Sequence, residues 1–507
     1  MSQPTASAWS FKHTPVGHSF AWSLALSLLP VVASFIVSWI IARFSGPEVW
    51  GAVSWAMAFA TQVLIIAKMG IDLGASRLAS EYGVDRPGSL RALLKAGADI
   101  RLLFTLPTAV LTFILAPQIA HWFHEESLVW LVRVSAGVIF CASVYEFQEQ
   151  FLVGLNRHAT VSRVRTLMLS SRCLATAGIV IAGLGAFAIL AGYVAAWLVG
   201  IVAFSLLLRR YLPPHAPGER DHADMRRRLL AMSIPLAISS ASVTVYSQAD
   251  KLVLGYFDNL HEVGQYSLAR AVMEVALFPA FALVTTLRPA LASRFTRGDT
   301  ASCAQLIKSS LRLSLVAGVL FGSIFVAMAV PLLSLVYSDQ YRYAGELMVW
   351  FSWIVVIRSL GAMVLPALLA AEKIRTYAWL TGAAAVLNLG LNLVLIPRMH
   401  SRGAIIATIV SYGLLLVFGL REVFGTFGVR VSPRAVGAGI RTLLAGTLVA
   451  ATLWVVIRQL DEPLGVWTLA LAAAHVLLYC LLVWAFRVMG PADIRPMVGS
   501  LLRLKGQ

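Results

Sequence analysis

The chain has 507 residues, of which 59% are hydrophobic and only 13% charged, with a mean hydropathy of +0.79 and a formal net charge of +17. A soluble domain carries roughly 25% charge, so the composition excludes a water-soluble globule and points to a chain built of many apolar spans. Backbone groups in lipid must be satisfied within the chain, which makes those spans helices, and the roughly ten-residue alternating segments of an outer-membrane barrel are absent.

The first nineteen residues (MSQPTASAWSFKHTPVGHS) are polar and weakly basic. The apolar run behind them is too long for a signal-peptide core and lacks a convincing cleavage site, so it reads as a spanning helix. At roughly 20 apolar residues per span, about fourteen spans are expected, over 19–42, 48–69, 97–119, 127–152, 164–184, 186–208, 229–249, 263–287, 309–336, 344–370, 376–396, 402–423, 438–459 and 466–488. The boundaries at 184/186 and 396/402 rest on breaks of only a few residues.

Basic residues set the orientation. With the N-terminus in the cytoplasm, the inner loops hold Arg77, Arg86, Arg91 and Lys95, then Arg157 and Arg163, then the run from Arg209 to Arg228, and later Arg294, Arg297, Lys373, Arg375, Arg421, Arg430 and Arg434. The outer loops hold only Arg43, Lys251, Arg342, Arg398, Arg402 and Arg458, and the outer loop HWFHEE has neither Lys nor Arg. This bias places both termini inside and accounts for most of the positive charge without nucleic acid or another anionic partner. The four cysteines, Cys141, Cys173, Cys303 and Cys480, show no metal-ligand spacing and read as packing residues.

The largest polar insert, RRYLPPHAPGERDHADMRRR at 209–228, reads as a linker between halves. GASRL at 74–78 matches LASRF at 291–295, Gly185-Ala186 matches Gly403-Ala404, and Pro30 matches Pro235, all at offsets a little over two hundred residues. The expected organisation is all-α, with two six-helix lobes at 1–208 and 229–424 related by a parallel repeat, the linker between them, and two further helices with a tail at 425–507. Internal repeats of this kind typify transporters that bind substrate between lobes.

At this point the chain resembles a known group. The stretch NLGLNLVLIPRMHSRGAIIAT (388–408) is similar to the N…N-x-x-(L/F)-I-P…G-A-A-I-A-T signature of Wzx-like polysaccharide-export flippases, a branch of the multidrug/oligosaccharidyl-lipid/polysaccharide exporter superfamily. QADKLVLGYFDNLHEVGQYSLARAVME (248–274) resembles the same family's D-x-(L/I)-x-(L/I)-G…V-G-x-Y-x-x-A pattern, with Asp250, Gly264, Tyr266 and Ala269 at its positions, and FLVGLNRH (151–158) resembles its G-L-x-R exit from the fourth helix. The resemblance implies a flippase that carries oligosaccharide on undecaprenyl diphosphate from the cytoplasmic to the periplasmic leaflet of the bacterial inner membrane. It implies alternating access through a cationic cavity between the lobes. No cofactor is implied beyond coupling to a proton or sodium gradient or to the membrane potential, and the implied partners are a polysaccharide polymerase and export machinery.

Charges inside spans cost roughly 2.5–3.5 kcal/mol each on insertion scales, so each needs a reason. Arg358 lies in FSWIVVIRSLGAMVL with no charge within a turn on its own helix. Two roles are open to it: a cavity cation, whose planar fork suits a diphosphate, or a structural arginine on the carbonyls of a kinked neighbour. Arg270 and Glu274 are one turn apart, with Tyr266 a turn earlier on the same face, so they form either a cavity stripe or a self-compensated pair. Arg165 and Arg172 share a face, and with Lys68 and Arg101 they could form a basic mouth; for Lys68 and Arg101, snorkelling to the headgroups is the simpler reading. Glu146 and Glu149 would pair with Arg157 or bind a coupling cation, and Asp250 would pair with its neighbour Lys251 or act at an outer gate. Pro30 and Pro235 are hinge candidates. Asn388 and Asn392 read as interhelical glue, with Pro397 ending their helix and Gly403 allowing a close return. No Ser/His/Asp order, phosphate-cradling glycine loop or metal-ligand cluster appears, and the outer loops are too short for an enzyme's domain. The alternative within the superfamily, a cation-coupled multidrug antiporter, favours an acidic cavity, whereas the deep ionisable residues here are mostly arginine.

Overall fold

The computed structural model describes residues 16–85, 87–212, 222–459 and 467–488. The N-terminal residues 1–15, the middle of the expected linker (213–221) and the basic tail from 489 lie outside them. All described secondary structure is helical: α1 (Val16–Lys68), α2 (Ile71–Asp85), α3 (Leu90–Ile114), α4 (Ala116–Trp122), α5 (Leu128–Gly154), α6 (His158–Ile181), α7 (Ala186–Tyr211), α8 (His222–Phe257), α9 (Leu260–Ala276), α10 (Phe278–Thr296), α11 (Thr300–Val336), α12 (Arg342–Gly361), α13 (Val364–Ala370), α14 (Ile374–Phe427), α15 (Pro433–Gln459) and α16 (Trp467–Ala485). Ten helical stretches among the described residues are long and apolar enough to cross a membrane.

α1 and α14 have 53 and 54 residues. Straight, each would be about 80 Å long, against a hydrocarbon core of about 30 Å. Both fold back on themselves. In α1 the break is Gly46 (φ 79°, ψ 177°), a conformation open to glycine, and Pro47 follows with its φ already set for a new helix. In α14 the break is His400 (φ 52°, ψ −137°). The chain therefore reverses within the turn expected between Arg398 and Arg402, but the first arm does not end at Pro397 as the sequence suggested. The proline removes one backbone donor, but the helix runs through it and the chain reverses at the histidine.

Other prolines divide expected spans. Pro117 opens α4, splitting it from α3, and Pro279 opens α10, so the single span expected over 263–287 is two helices joined at Leu277. Pro30 leaves α1 helical around it, and α8 runs through position 235. The expected linker is partly helical: α7 extends to Tyr211 and α8 already begins at His222.

Helices α1 to α7 pack on one another, with α6 and α5 against α1 and α7 against both α5 and α6. Helices α8 to α14 form a second group, in which α11 packs on α12, α14 on α8 and α12, and α9 on α12. α15 and α16 lie against α11. The groups meet at both ends, and α1 also packs along α8 between them. At one end α2 and α3 pack on α8, and at the other the Gly46 turn of α1 packs on α9. There Gly51 and Gly264 let backbones touch: a Cβ on either would overlap the main chain of Leu260 or Pro47. Trp39 and Arg43 of α1 add hydrogen bonds to the carbonyls of Val336 and Tyr337 at the same end.

The outer surface of the bundle is apolar. Ile181 is 86% exposed and Trp379 81%, which suits contact with lipid rather than water. All four cysteines are free thiols; Cys141 and Cys303 are buried, in keeping with packing roles, whereas Cys173 is half-buried and Cys480 is exposed.

Candidate functional site: a cavity between the helical groups

A cavity of about 640 Å³ lies between the two groups of helices. α1 contributes Pro30 and Ser34, α6 and α7 contribute Arg172 and Tyr193, α8 contributes Ser247 and Lys251, and α9 contributes Arg270 and Glu274. A second chamber of about 430 Å³ adjoins it, walled by α1, α2, α5 and α6, with Lys68, Asp72, Glu146, Glu149 and Arg165. Pro30, Ser34 and Arg172 belong to both walls. Among the described residues, the charged side chains around the central cavity are three cations and one acid, whereas the second chamber matches its cations with acids.

Every charge that the sequence singled out here is placed by tertiary packing. Arg270 pairs with Asp250 of α8, and its Nη2 donates to the Ser247 carbonyl at 2.6 Å. The Tyr266 hydroxyl donates to the same Asp250 carboxylate at 2.5 Å. Asp250 and Tyr266 are almost wholly buried. Tyr266 therefore does not line the cavity, and Asp250 does not pair with the Lys251 ammonium, although it accepts from that residue's backbone N–H: a side chain about two turns from the helix end reaches sideways to α9, where a buried guanidinium stands. A buried carboxylate and guanidinium each require a partner in low dielectric, and this pair supplies both.

Glu274 pairs with Arg358 of α12. The Arg358 guanidinium also lies 5.7 Å from the Phe281 ring and 5.2 Å from that of Tyr412. Arg358 is not part of the cavity wall; it stands behind Glu274, in the last turn of α12. Neither of the two roles open to it in the sequence describes this position. Glu274 itself does face the cavity, and Arg270 and Glu274 are not paired with each other.

The second chamber repeats this pattern. Lys68 pairs with Glu146, and Arg165 with Glu149 at 2.5 Å. Arg157, expected as the partner of those glutamates, instead lies over the Tyr211 ring. Arg101 does not snorkel: it is 1% exposed, pairs with Asp72 at 2.9 Å, and donates to the carbonyls of Ser143 and Lys68. These carbonyls are where α5 and the end of α1 pass closest, so Arg101 clamps three elements at once. Asp72 went unnoticed in the sequence; its one signal is a carboxylate immediately after an apolar span.

Two cations differ from the rest. Arg172 has no ion pair among the described residues; its guanidinium sits 5.0 Å from the Tyr193 ring, and its Nε is buried without a partner. The ammonium of Lys251 likewise has no ion pair among the described residues, and it too lines the cavity. A cation in a cavity without a matching acid is an anion site in waiting.

Away from the cavity, Asn392 donates to Asn388 at 3.0 Å and Asn388 to Thr408 at 3.4 Å, which links the two arms of the α14 hairpin. Gly403 sits against the Leu395 carbonyl, where a side chain would not fit.

All embedded ion pairs among the described residues join helices of one group. Those of Lys68, Arg101 and Arg165 lie within the first, and those of Arg270 and Arg358 within the second. Charged contacts between groups occur at the basic end, where Arg226 meets Asp99 and Arg228 meets Glu81, all substantially exposed. The groups can part without stranding a buried charge.

Known proteins share this architecture. Residues 16–295 match the family described as polysaccharide biosynthesis protein, and residues 235–394 match the family described as MatE. A probable low-salt glycan biosynthesis flippase of Haloferax volcanii is 24% identical over 190 residues, 37% of this chain and 40% of that protein. Among solved structures, the lipid II flippase MurJ in an inward closed conformation superposes with a TM-score of 0.71 at 12% identity, covering 92% of this chain and 98% of that one. An inward-facing multidrug resistance MATE transporter of the MOP superfamily superposes with a TM-score of 0.63 at 13% identity, covering 81% of this chain and 100% of that one. With more than half of its length matched, the chain belongs to the polysaccharide biosynthesis protein family, and it shares its multi-helix fold with flippases and transporters of known structure.

Proposed function

We propose that the protein moves an oligosaccharide linked to undecaprenyl diphosphate across the bacterial inner membrane, from the cytoplasmic to the periplasmic leaflet, for assembly into an exported polymer. The observation that carries this reading is Arg172, a cation without an acid partner among the described residues on the wall shared by both chambers. A diphosphate offers the charge and acceptor oxygens that a guanidinium and an ammonium seek, and Lys251 faces the same cavity. The sugar would occupy the cavity, among its serines and aromatic rings, while the prenyl chain stays in lipid. Containment of the buried pairs within each group supports alternating access, with one group rocking on the other about α1 and α8. Pro30, at the meeting of the two chambers, and Pro235, in the facing helix, are the hinge positions. Both termini would be cytoplasmic, and polymerase and export proteins would act on the product.

Glu274 favours a second reading. It is the one acid on the central cavity wall, and ion coupling through it would suit a MATE-type antiporter. Its pairing with Arg358 argues against an exposed cation site. The deciding experiment is deletion of the gene followed by analysis of lipid-linked intermediates. Repeat units should accumulate on the inner leaflet and surface polymer should be lost; normal polymer in the deletion strain would overturn the proposal. Neighbouring genes for glycosyltransferases and a polymerase are the expected context.

A further inference from the structure

A third cavity, of about 660 Å³, opens on the opposite side of α5 and shares no lining residue with the two chambers. It is framed by the ends of α3, α5 and α7 at the basic end of the bundle. Its rim carries Arg91, Lys95 and Arg209, all exposed, and among the described residues no acid lines it. None of the three forms an ion pair among the described residues; Arg91 donates only to the Leu212 carbonyl, at 3.3 Å. The nearest acid on the same helix, Asp99, lies one turn beyond Lys95, is absent from the lining and is engaged by Arg226 of α8. Below the rim the wall is mostly apolar, its polar members being engaged within the protein (Gln148 donates to Ser205 and Arg101 pairs with Asp72), and it runs into side chains that face outward from the bundle, Leu102 among them.

We infer that this groove binds the anionic phosphodiester headgroup of a membrane phospholipid from the leaflet at the basic end, with an acyl chain along the apolar wall. The charge arrangement selects against zwitterionic lipids, whose own cation would meet three more. The apolar lower wall selects against free phosphate, which would leave that surface unmatched. The reading stands apart from the proposed transport cycle, because the groove lies outside the space between the helical groups.

The test is native mass spectrometry of the purified full chain with short-chain phosphatidylglycerol, short-chain phosphatidylcholine or inorganic phosphate as probe. The wild-type protein should retain one phosphatidylglycerol at concentrations where phosphatidylcholine leaves it unoccupied. Each cation near an anionic headgroup contributes about fivefold in affinity, so the triple variant R91Q/K95Q/R209Q should bind roughly a hundredfold more weakly. The cavity variant R172Q should bind as the wild type does. If the triple variant unfolds early, K95Q alone should still lose about fivefold. Equal binding of both lipids, displacement of the lipid by equimolar phosphate, undiminished binding by the variants, or loss in R172Q would overturn the inference.

Discussion

Arg172 and Arg270 lie in one cavity, yet their replacement should have opposite consequences. Arg172→Gln removes a guanidinium whose one protein contact of note is the Tyr193 ring, an interaction of about 0.5–2 kcal/mol. It also removes a buried Nε that lacks an acceptor, so the net loss of stability should be small. Asp250→Asn instead leaves Arg270, 8% exposed, with the Tyr266 hydroxyl and the Ser247 carbonyl but no counter-charge. Breaking a buried pair from one side costs about 3–5 kcal/mol. Transport should respond in the other order. A hydrogen bond to a charged group contributes about 1.5–3 kcal/mol, so loss of the Arg172 contact with a diphosphate should weaken binding about ten- to hundredfold. The assay is paired: thermal unfolding followed by intrinsic tryptophan fluorescence, and flipping of a lipid-linked oligosaccharide in proteoliposomes read by an impermeant glycosidase. Wild-type flipping by Arg172→Gln, or unfolding of Arg172→Gln below Asp250→Asn, would refute the distinction between free and paired cations.

Other expectations follow from the same contacts. Glu274→Gln should destabilise the protein by about 1–2 kcal/mol, less than for a fully buried pair because the Glu274 side chain is 42% exposed, and adding Arg358→Met should restore most of that loss by removing the unmatched cation; failure of the double variant to recover would show that Arg358 is held by something other than Glu274. Gly264→Ala should wedge α9 away from the Pro47 carbonyl, so that a cysteine placed in the central cavity becomes reactive to an impermeant thiol reagent; unchanged protection would mean that the contact yields without opening. At the loop between α8 and α9, burial raises the pKa of Asp258, while the adjacent His400 opposes the rise. A carboxyl with a raised pKa holds its proton more tightly when folded, so its contribution to stability is full below the ordinary carboxylate range and is lost as pH rises through the folded value. Asp258→Asn should flatten that part of the unfolding temperature against pH; an unchanged slope would exclude the group.

Much of the fold is legible because lipid makes the rules stringent. Helices cover the expected spans, and local chemistry marks their ends, as at Gly46-Pro47 and Pro279. The hairpin of 388–408 was readable as a pair of close helices with a turn between Arg398 and Arg402, although the first helix does not stop at Pro397, because a proline's effect on the backbone is local and the reversal belongs to the residue at positive φ. The site was less legible. Spacing by four puts Arg270 and Glu274 on one face, and that face is real. Their partners, Asp250 and Arg358, come from other helices, and a helix's rotation and depth are fixed by packing rather than by its own sequence. Arg101 shows the same limit: near a span end it reads as a snorkelling cation, but two backbone carbonyls and Asp72 converge on it only once α1, α2 and α5 are assembled.

Because Arg270 is matched by Asp250 and Arg358 by Glu274 within one group of helices, each pair moves through a transmembrane field as a dipole with no net charge. A field does work of about 2.3 kcal/mol per elementary charge per 100 mV. Rocking these helices therefore draws almost no work from the voltage. The field acts on Arg172 and Lys251, and on whatever anion has joined them, so the electrical load of the cycle is set by the cargo and two side chains rather than by the scaffold that carries them.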